Sequence, residues 1–208
     1  MYSRSDSATG AHTDSSSGSG SPILETLGIF VIVALAQFVA GFIGIMGGLF
    51  VLAPPVSTNP WTIVTSVYAH GGLGHLLSNS VALVVFGWPV ARATTRLRFH
   101  TFFLLTGALA GLSQVWITGL FGTATPVLGA SGAVFALLGY LLTGNRLSES
   151  IASRVEVPRW MTLLFFLVLA AAVTIATGSP GVALIAHFTG FLLGLLAGRA
   201  GVLHPGTG

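Results

Sequence analysis

The sequence contains no cysteine and no lysine, and only 6% of its 208 residues are charged. Without cysteine, disulfides and thiolate metal sites are excluded. Soluble domains carry about 25% charged residues, and a soluble protein with 53% hydrophobic residues could not cover its surface with polar groups. The scarcity of charge therefore predicts that the lipid bilayer surrounds much of the chain. The net charge of +3 comes from scattered arginines, which indicates membrane topology rather than a nucleic-acid partner.

Composition divides the chain into three parts. Residues 1–22 are rich in Ser, Gly, Thr and Asp, with little to bury, so they are predicted to form a disordered polar tail. This tail lacks the basic-then-apolar layout of a cleaved signal peptide. A membrane domain is expected over residues 23–201, followed by a short C-terminal tail at residues 202–208.

Six apolar stretches follow the polar tail, and a helix can satisfy its own backbone hydrogen bonds in lipid. The sequence therefore predicts an all-α membrane protein with six transmembrane helices and a long outer loop between the first two. The loop is itself largely apolar, so it is expected to lie at the membrane interface. The predicted spans are Thr26–Leu52, His75–Ala91, Phe99–Leu120, Ser131–Thr143, Trp160–Thr177 and Val182–Gly201, and the loop is Ala53–Gly74.

The arginines orient these spans. The connections after the first, third and fifth spans contain no arginine, so every arginine falls on the same predicted side of the membrane. The positive-inside rule makes that side cytoplasmic, with both termini inside and the plasma membrane as the expected location. The arginines are Arg4, Arg92, Arg96, Arg98, Arg146, Arg154, Arg159 and Arg199.

A serine and a histidine stand out within the predicted spans. Ser131 begins the fourth span between Gly129 and Gly132, where small residues alone would equally indicate close helix packing. His187 shares one face of the sixth span with Gly190 and the glycines that follow it. Such a histidine can serve packing alone, but ionisable groups inside a membrane are costly and often functional.

The depths of the two residues agree. With about 1.5 Å of rise per residue and about 30 Å of hydrocarbon, Ser131 is expected roughly 9 Å below the outer surface. By the same rise, His187 is expected about 7.5 Å below it. Helix packing alone does not explain why both residues fall at one level, so the pattern favours a joint chemical role.

The second span opens with His75 and Asn79, which lie one helical turn apart on one face. Both side chains can donate hydrogen bonds to a developing oxyanion, although an interfacial polar cap on the helix explains them equally well. His70 precedes them in the outer loop, where a hydrated interfacial histidine is the simpler interpretation.

The five acidic residues all lie outside the predicted membrane core. No carboxylate is therefore available to orient His187 in a triad, and a serine mechanism would have to use a dyad. Paired intramembrane aspartates and an H-E-x-x-H motif are also absent, which argues against aspartyl and zinc proteases. No metal and no cofactor is expected.

These motifs, in this order, resemble the rhomboid family of intramembrane serine proteases over about residues 24–201. A lone G-x-S-G is weak evidence, but its combination with the upstream His and Asn and the downstream His-x-x-Gly is specific. The matching residues are Trp61-x-x-x-Thr65, His70-x4-His75-x3-Asn79, Gly129-Ala130-Ser131-Gly132 and Ala186-His187-x-x-Gly190-x3-Gly194.

The resemblance implies a role for each motif. Ser131 would attack the scissile carbonyl, while His187 would accept the serine proton and return it to the leaving amine. An oxyanion hole would comprise His75, Asn79 and the Ser131 backbone N–H. Supporting positions would be Gly129, Gly132, Gly190 and Phe135, the last stacking on His187 where the family often has tyrosine. The implied partners are transmembrane protein substrates within the lipid bilayer, with no nucleic acid; the sequence does not predict an oligomeric state.

One position departs from the family pattern. Thr62 follows the tryptophan at a place where many members have arginine, so the outer loop is expected to be anchored differently, and Thr62→Arg is expected to raise thermal stability. Two other classes of function stay open at this point. A rhomboid-like protein without activity could bind membrane clients, and a small transporter would be expected to show internal repeats or broken helices.

Overall fold

A computed structural model of the chain describes residues 20–144, 158–178 and 183–204. These residues are helical, apart from connecting segments and one antiparallel bridge between Leu52 and Val127. Most of the predicted polar tail, residues 1–19, and the last four residues lie outside the described part. Leu203 falls in the predicted C-terminal tail, yet it is buried in the main apolar cluster.

Each of the six predicted spans overlaps a described helix, and one further helix lies in the predicted outer loop. Three of the described helices, α1, α4 and α5, are long and apolar enough to cross a membrane, and three others are shorter apolar helices. The number of crossings therefore stays a prediction. The elements are α1 Pro22–Phe42, α2 Met46–Phe50, α3 Thr62–Tyr68, α4 Leu73–Arg92, α5 Arg96–Leu120, α6 Ser131–Thr143, α7 Arg159–Ala176 and α8 Leu184–Arg199.

The prediction of one continuous first span, Thr26–Leu52, is wrong. Helix α1 ends at Phe42 because Gly44 adopts a φ of 74°, a left-handed conformation that glycine adopts at little cost. The Gly44 N–H donates to the Gly41 carbonyl, and the Ile45 N–H donates to the Ala40 carbonyl. This pair of bonds is a Schellman termination, and the apolar chain resumes as the separate short helix α2.

Helix α4 is interrupted by one π-helical turn at Leu83–Gly87. Pro89 follows two residues later, and proline has no N–H to donate and clashes with the carbonyl one turn earlier. The wider turn lets the helix continue past the proline, so the two halves of α4 stay joined while their faces change register.

Polar contacts gather the ends of three helices at one end of the bundle. The Glu25 carboxylate, near the start of α1, pairs with Arg96 and accepts a hydrogen bond from the His100 ring at 2.8 Å, both at the start of α5. The Arg98 guanidinium donates to the His204 carbonyl just after α8. The starts of α1 and α5 and the end of α8 therefore lie together.

Helices α6 and α8 are in backbone contact along the glycine face expected from the sequence. A methyl group built on Gly190 would lie 2.1 Å from the Gly132 carbonyl oxygen, and one built on Gly194 would lie 2.1 Å from that of Ala136. Side chains at these positions would push the helices apart. The glycines thus bring the first turns of α6 and α8 side by side.

Helix α3 lies within the outer loop and packs on α5, with Val67 seated against Gly107. The Trp61 indole N–H donates to the Gly48 carbonyl at 2.9 Å, and the Thr65 hydroxyl donates to the Leu49 carbonyl. The outer loop is therefore anchored to α2 through tryptophan and threonine side chains.

The environment of Thr62 does not favour the stabilisation that the sequence led us to expect from arginine at this position. Thr62 is 1% exposed, and its hydroxyl donates to the Asn59 carbonyl at 2.6 Å. An arginine there would bury a guanidinium in a site built for a small hydroxyl, which is costly without a charged partner. Thr62→Arg is therefore expected to lower stability, the reverse of the expectation from the sequence.

Candidate active site

Ser131 is the first residue of α6, at the end of the bundle opposite the contacts of Arg96 and Arg98. The preceding Gly129 has a φ of 135°, in the region that favours glycine, and its N–H donates to the Ser66 carbonyl at 2.9 Å. This turn ties the entry of α6 to α3. The backbone N–H of Ser131 lies in the first helical turn, where N–H groups have no partner within their own helix.

His187 reaches Ser131 from the neighbouring helix. The His187 Nε2 lies 2.9 Å from the Ser131 hydroxyl oxygen, within hydrogen-bond distance. The imidazole is 8% exposed and sits at the end of the first turn of α8. The structure thus brings together the two residues that the sequence places at one depth.

The ring of Phe135 holds the His187 imidazole from one side. The two ring centroids lie 4.3 Å apart, with an angle of 25° between the planes, so the rings are stacked. The His187 Nδ1 is buried and has no hydrogen-bond partner among the described residues. Orientation of this imidazole therefore comes from stacking and from its helix rather than from a carboxylate.

His75 lies directly against the turn before Ser131. A methyl group built on Gly129 would lie 2.9 Å from the His75 Nε2, so only glycine leaves room for this imidazole. The Gly71 N–H donates to the His75 Nδ1 at 3.3 Å. That bond leaves the proton of the neutral ring on Nε2, and the Nε2–H is then a donor close to the start of α6.

Asn79 is buried on the same face of α4, and its side-chain amide donates to the His75 carbonyl at 3.0 Å. The Ser78 hydroxyl donates to the same carbonyl at 3.0 Å. One hydrogen of the Asn79 amide is thus used within its own helix, and the second is available to another acceptor.

The sequence suggested that His70 is a hydrated interfacial residue, but the structure buries it. It is 6% exposed, and its ring packs edge-on against Phe30 with centroids 4.7 Å apart. Burial lowers the pKa of His70 to about 4, so its ring is neutral at physiological pH. The Gln37 side chain both donates to the His70 carbonyl and accepts from the His70 N–H.

A cavity of about 740 Å³ opens in front of Ser131 and His187, a volume in the usual range for ligand pockets. No Asp, Glu, Lys or Arg lines it in the described part of the chain. Its walls come from α4, α5, α6 and α8, from Thr177 just after α7, and from the segment before α6. Lining residues include His75, Asn79, Ala82, Phe86, Gln114, Ser131, Val134, Phe135, Leu138, Thr177 and His187.

Gln114 is a buried residue of this region that the sequence interpretation missed. The chain has two glutamines, Gln37 and Gln114, and both lie inside predicted spans. Polar side chains within membrane helices are costly enough to mark candidate functional residues, and this signal could have identified both glutamines.

Within the described ranges, no group of three His, Cys, Asp or Glu side chains could hold a metal ion.

A family model and individual known proteins both match this chain, and they indicate the same family. A family model described as "Rhomboid domain" matches residues 57–203. "RHOMBOID-like protein 4" of Arabidopsis thaliana is 32% identical over 161 residues, which cover 77% of this chain and 39% of that protein. "RHOMBOID-like protein 5" of the same plant is 32% identical over 146 residues, which cover 70% of this chain and 45% of that protein.

A bacterial protein also matches over a shorter range. "Rhomboid protease GluP" of Bacillus subtilis (strain 168) is 37% identical over 82 residues, which cover 39% of this chain and 15% of that protein. The matched part of this chain spans less than half the length of each of these curated relatives.

Proposed function

The chain belongs to the rhomboid family, and from that premise we propose that it is an intramembrane serine endopeptidase. It cleaves transmembrane segments of other membrane proteins with a dyad of Ser131 and His187. The observation that carries the proposal is the 2.9 Å contact between the Ser131 hydroxyl oxygen and the His187 Nε2 at the wall of the cavity.

The dyad works without a carboxylate. Neutral His187 carries its proton on Nδ1, so its Nε2 accepts the Ser131 proton as the serine oxygen bonds to the scissile carbonyl carbon. The imidazolium then gives that proton to the leaving amine as the carbon–nitrogen bond breaks. Water hydrolyses the resulting acyl-enzyme by the same steps, which returns the serine proton. The face of Phe135, stacked on His187, favours the transient positive charge.

The tetrahedral intermediate places a negative charge at the start of α6. The His75 Nε2–H, the free N–H of Asn79 and the backbone N–H of Ser131 are the donors for this oxyanion. The positive end of the α6 dipole points to the same place. Support for this role comes from the close approach of His75 to Gly129, two residues before the nucleophile.

The substrate reaches the dyad from the membrane. A transmembrane helix keeps its peptide bonds internally hydrogen-bonded, so a bond becomes available only where that helix unwinds locally. The cavity lies at the end of the bundle away from the arginines, and water can enter from that end.

The proposed fold is a six-span bundle in the plasma membrane with both termini cytoplasmic and Ala53–Gly74 at the outer interface. The contacts of Arg96, Arg98 and Glu25 at one end of the bundle support this orientation.

Cleavage of a generic transmembrane substrate by the detergent-purified chain tests the proposal. Ser131→Ala and His187→Ala should each abolish cleavage and keep the fold, because acyl transfer needs both partners. Ser80→Ala is the matched control, since the Ser80 hydroxyl only donates to the Leu76 carbonyl of its own helix. A fluorophosphonate probe should label the parent and the control but not Ser131→Ala. Cleavage that survives at more than a few per cent in either dyad variant would contradict the assignment.

A further inference from the structure

The side chain of Gln114 holds the backbone at the start of the helix that carries His187. Gln114 lies on α5 and is 5% exposed. Its Oε1 accepts a hydrogen bond from the Ala186 N–H at 3.1 Å. Ala186 is the residue immediately before His187, and the two partners are 72 positions apart in the sequence.

This contact replaces a missing helix cap. The first N–H groups of an α-helix have no partner in their own helix, and a Ser, Thr, Asp or Asn at the N-cap usually satisfies the third of them. The N-cap of α8 is Ala183, whose side chain cannot accept a hydrogen bond. Ala186 is the third residue of α8, so Gln114 supplies from another helix the acceptor that the N-cap lacks.

On the basis of the proposed function, we infer that Gln114 is a positioning residue for the general base, acting through the Ala186 N–H to fix the first turn of α8. Ala186 is 4% exposed, and a buried N–H without a partner is costly, so without Gln114 the first turn of α8 frays or shifts. The Nε2 of His187 moves with that turn. Displacement of a reacting group by about 1 Å can lower a rate by about 100-fold.

A second contact between α5 and α8 provides a matched control. Ser113 neighbours Gln114 in sequence, and its hydroxyl lies 2.9 Å from that of Thr189 on α8. This contact joins the same two helices, but it involves two side chains and leaves the Ala186 N–H capped. Loss of the Ser113 contact therefore tests helix packing without removing the cap.

The experiment compares Gln114→Met, Gln114→Glu and Ser113→Ala with the parent chain and with Ser131→Ala. Methionine keeps the length of the side chain but lacks the oxygen acceptor, whereas a protonated glutamic acid keeps it. Cleavage of the transmembrane substrate gives kcat and KM, and fluorophosphonate labelling reports the reactivity of Ser131. In Gln114→Met we expect kcat and the labelling rate to fall at least tenfold with KM nearly unchanged, while Gln114→Glu and Ser113→Ala stay within a few-fold of the parent.

A rescue variant separates capping from packing. Adding Ala183→Ser to Gln114→Met places a hydroxyl at the N-cap of α8, where it can accept from the Ala186 N–H, and should restore much of the lost kcat. The inference is overturned if Gln114→Met behaves like Ser113→Ala, or if its loss is not reduced by Ala183→Ser. If Gln114→Met does not fold, the shorter Gln114→Asn takes its place in the same comparison. A parent chain that neither cleaves nor reacts with the probe would instead overturn the proposed function.

Discussion

At the scale of single residues, the backbone positions the His75 ring, and side chains position His187. The Gly71 N–H fixes the tautomer of His75, and Gly129 leaves the space that the His75 ring occupies. His187 has its Nε2 on Ser131 and its ring on Phe135. With no carboxylate among the residues that line the cavity, the backbone and one aromatic ring do the orienting.

The proposed oxyanion donors give a prediction at this scale. Removal of one such donor commonly lowers kcat by about 10²–10³, so His75→Ala and Asn79→Ala should lower turnover of the transmembrane substrate by roughly that factor. Labelling of Ser131 by a fluorophosphonate should slow but persist. Ser78→Ala is the control for Asn79→Ala, because both side chains donate to the His75 carbonyl. Equal turnover in these two variants would show that Asn79 only caps its helix.

At the scale of elements, the site exists because α6 and α8 meet at backbone distance. Gly190 and Gly194 lie against the carbonyls of Gly132 and Ala136, and this contact sets how far the His187 ring extends toward Ser131. Helix α7 packs on α8 through Phe166, Ala170, Phe191 and Leu195. Helix α8 therefore joins the contact of Ser131 and His187 to α7, which ends beside the cavity at Thr177.

A methyl group at the contact of α6 and α8 should destabilise the protein. Gly194→Ala places a Cβ 2.1 Å from the Ala136 carbonyl oxygen, and overpacking of this kind costs about 1–3 kcal/mol or more. The melting temperature in detergent should fall, and cleavage should fall with it. Gly28→Ala is the control, since a Cβ at Gly28 meets nothing within 4 Å. It should melt at the parent temperature or slightly above it, because alanine favours a helix more than glycine does. If Gly194→Ala melts like Gly28→Ala, the two helices are not in the contact described.

At the scale of the whole molecule, the described charged contacts and the candidate active site lie at opposite ends of the bundle. Arg96, Glu25 and His100 join the starts of α1 and α5, whereas Ser131, His187 and His75 lie at the ends of their helices farthest from that cluster. In the proposed topology the arginines favour one side of the membrane, and the proposed dyad lies near the other side, where water can reach it.

Cysteine labelling tests this orientation, and the chain has no native cysteine to react. Thr123, between α5 and α6, and Ala93, between α4 and α5, are both exposed. An impermeant thiol reagent added outside intact cells should modify Thr123→Cys and leave Ala93→Cys unmodified until the membrane is permeabilised. Modification of Ala93→Cys alone in intact cells would reverse the proposed topology.

The sequence by itself determines the membrane class, the approximate positions of most of the longer helices and the family. These follow from composition, from the length of apolar stretches and from residues at short spacing, such as His75 and Asn79, all of which are local properties. The order of motifs also singles out Ser131 and His187, because G-x-S-G and the downstream His-x-x-Gly each occur at the expected end of a predicted span.

Only the tertiary structure decides what depends on contacts between distant parts of the chain. Hydropathy does not distinguish the break at Gly44 from a continuous helix, because the residues on both sides are apolar. Thr62 and His70 look like surface residues by type, yet the packing of the outer loop buries them. The bond from Ala186 to Gln114 spans 72 positions, and no local pattern encodes it. The 2.9 Å contact of Ser131 with His187 likewise exists only because glycines let two helices approach at backbone distance.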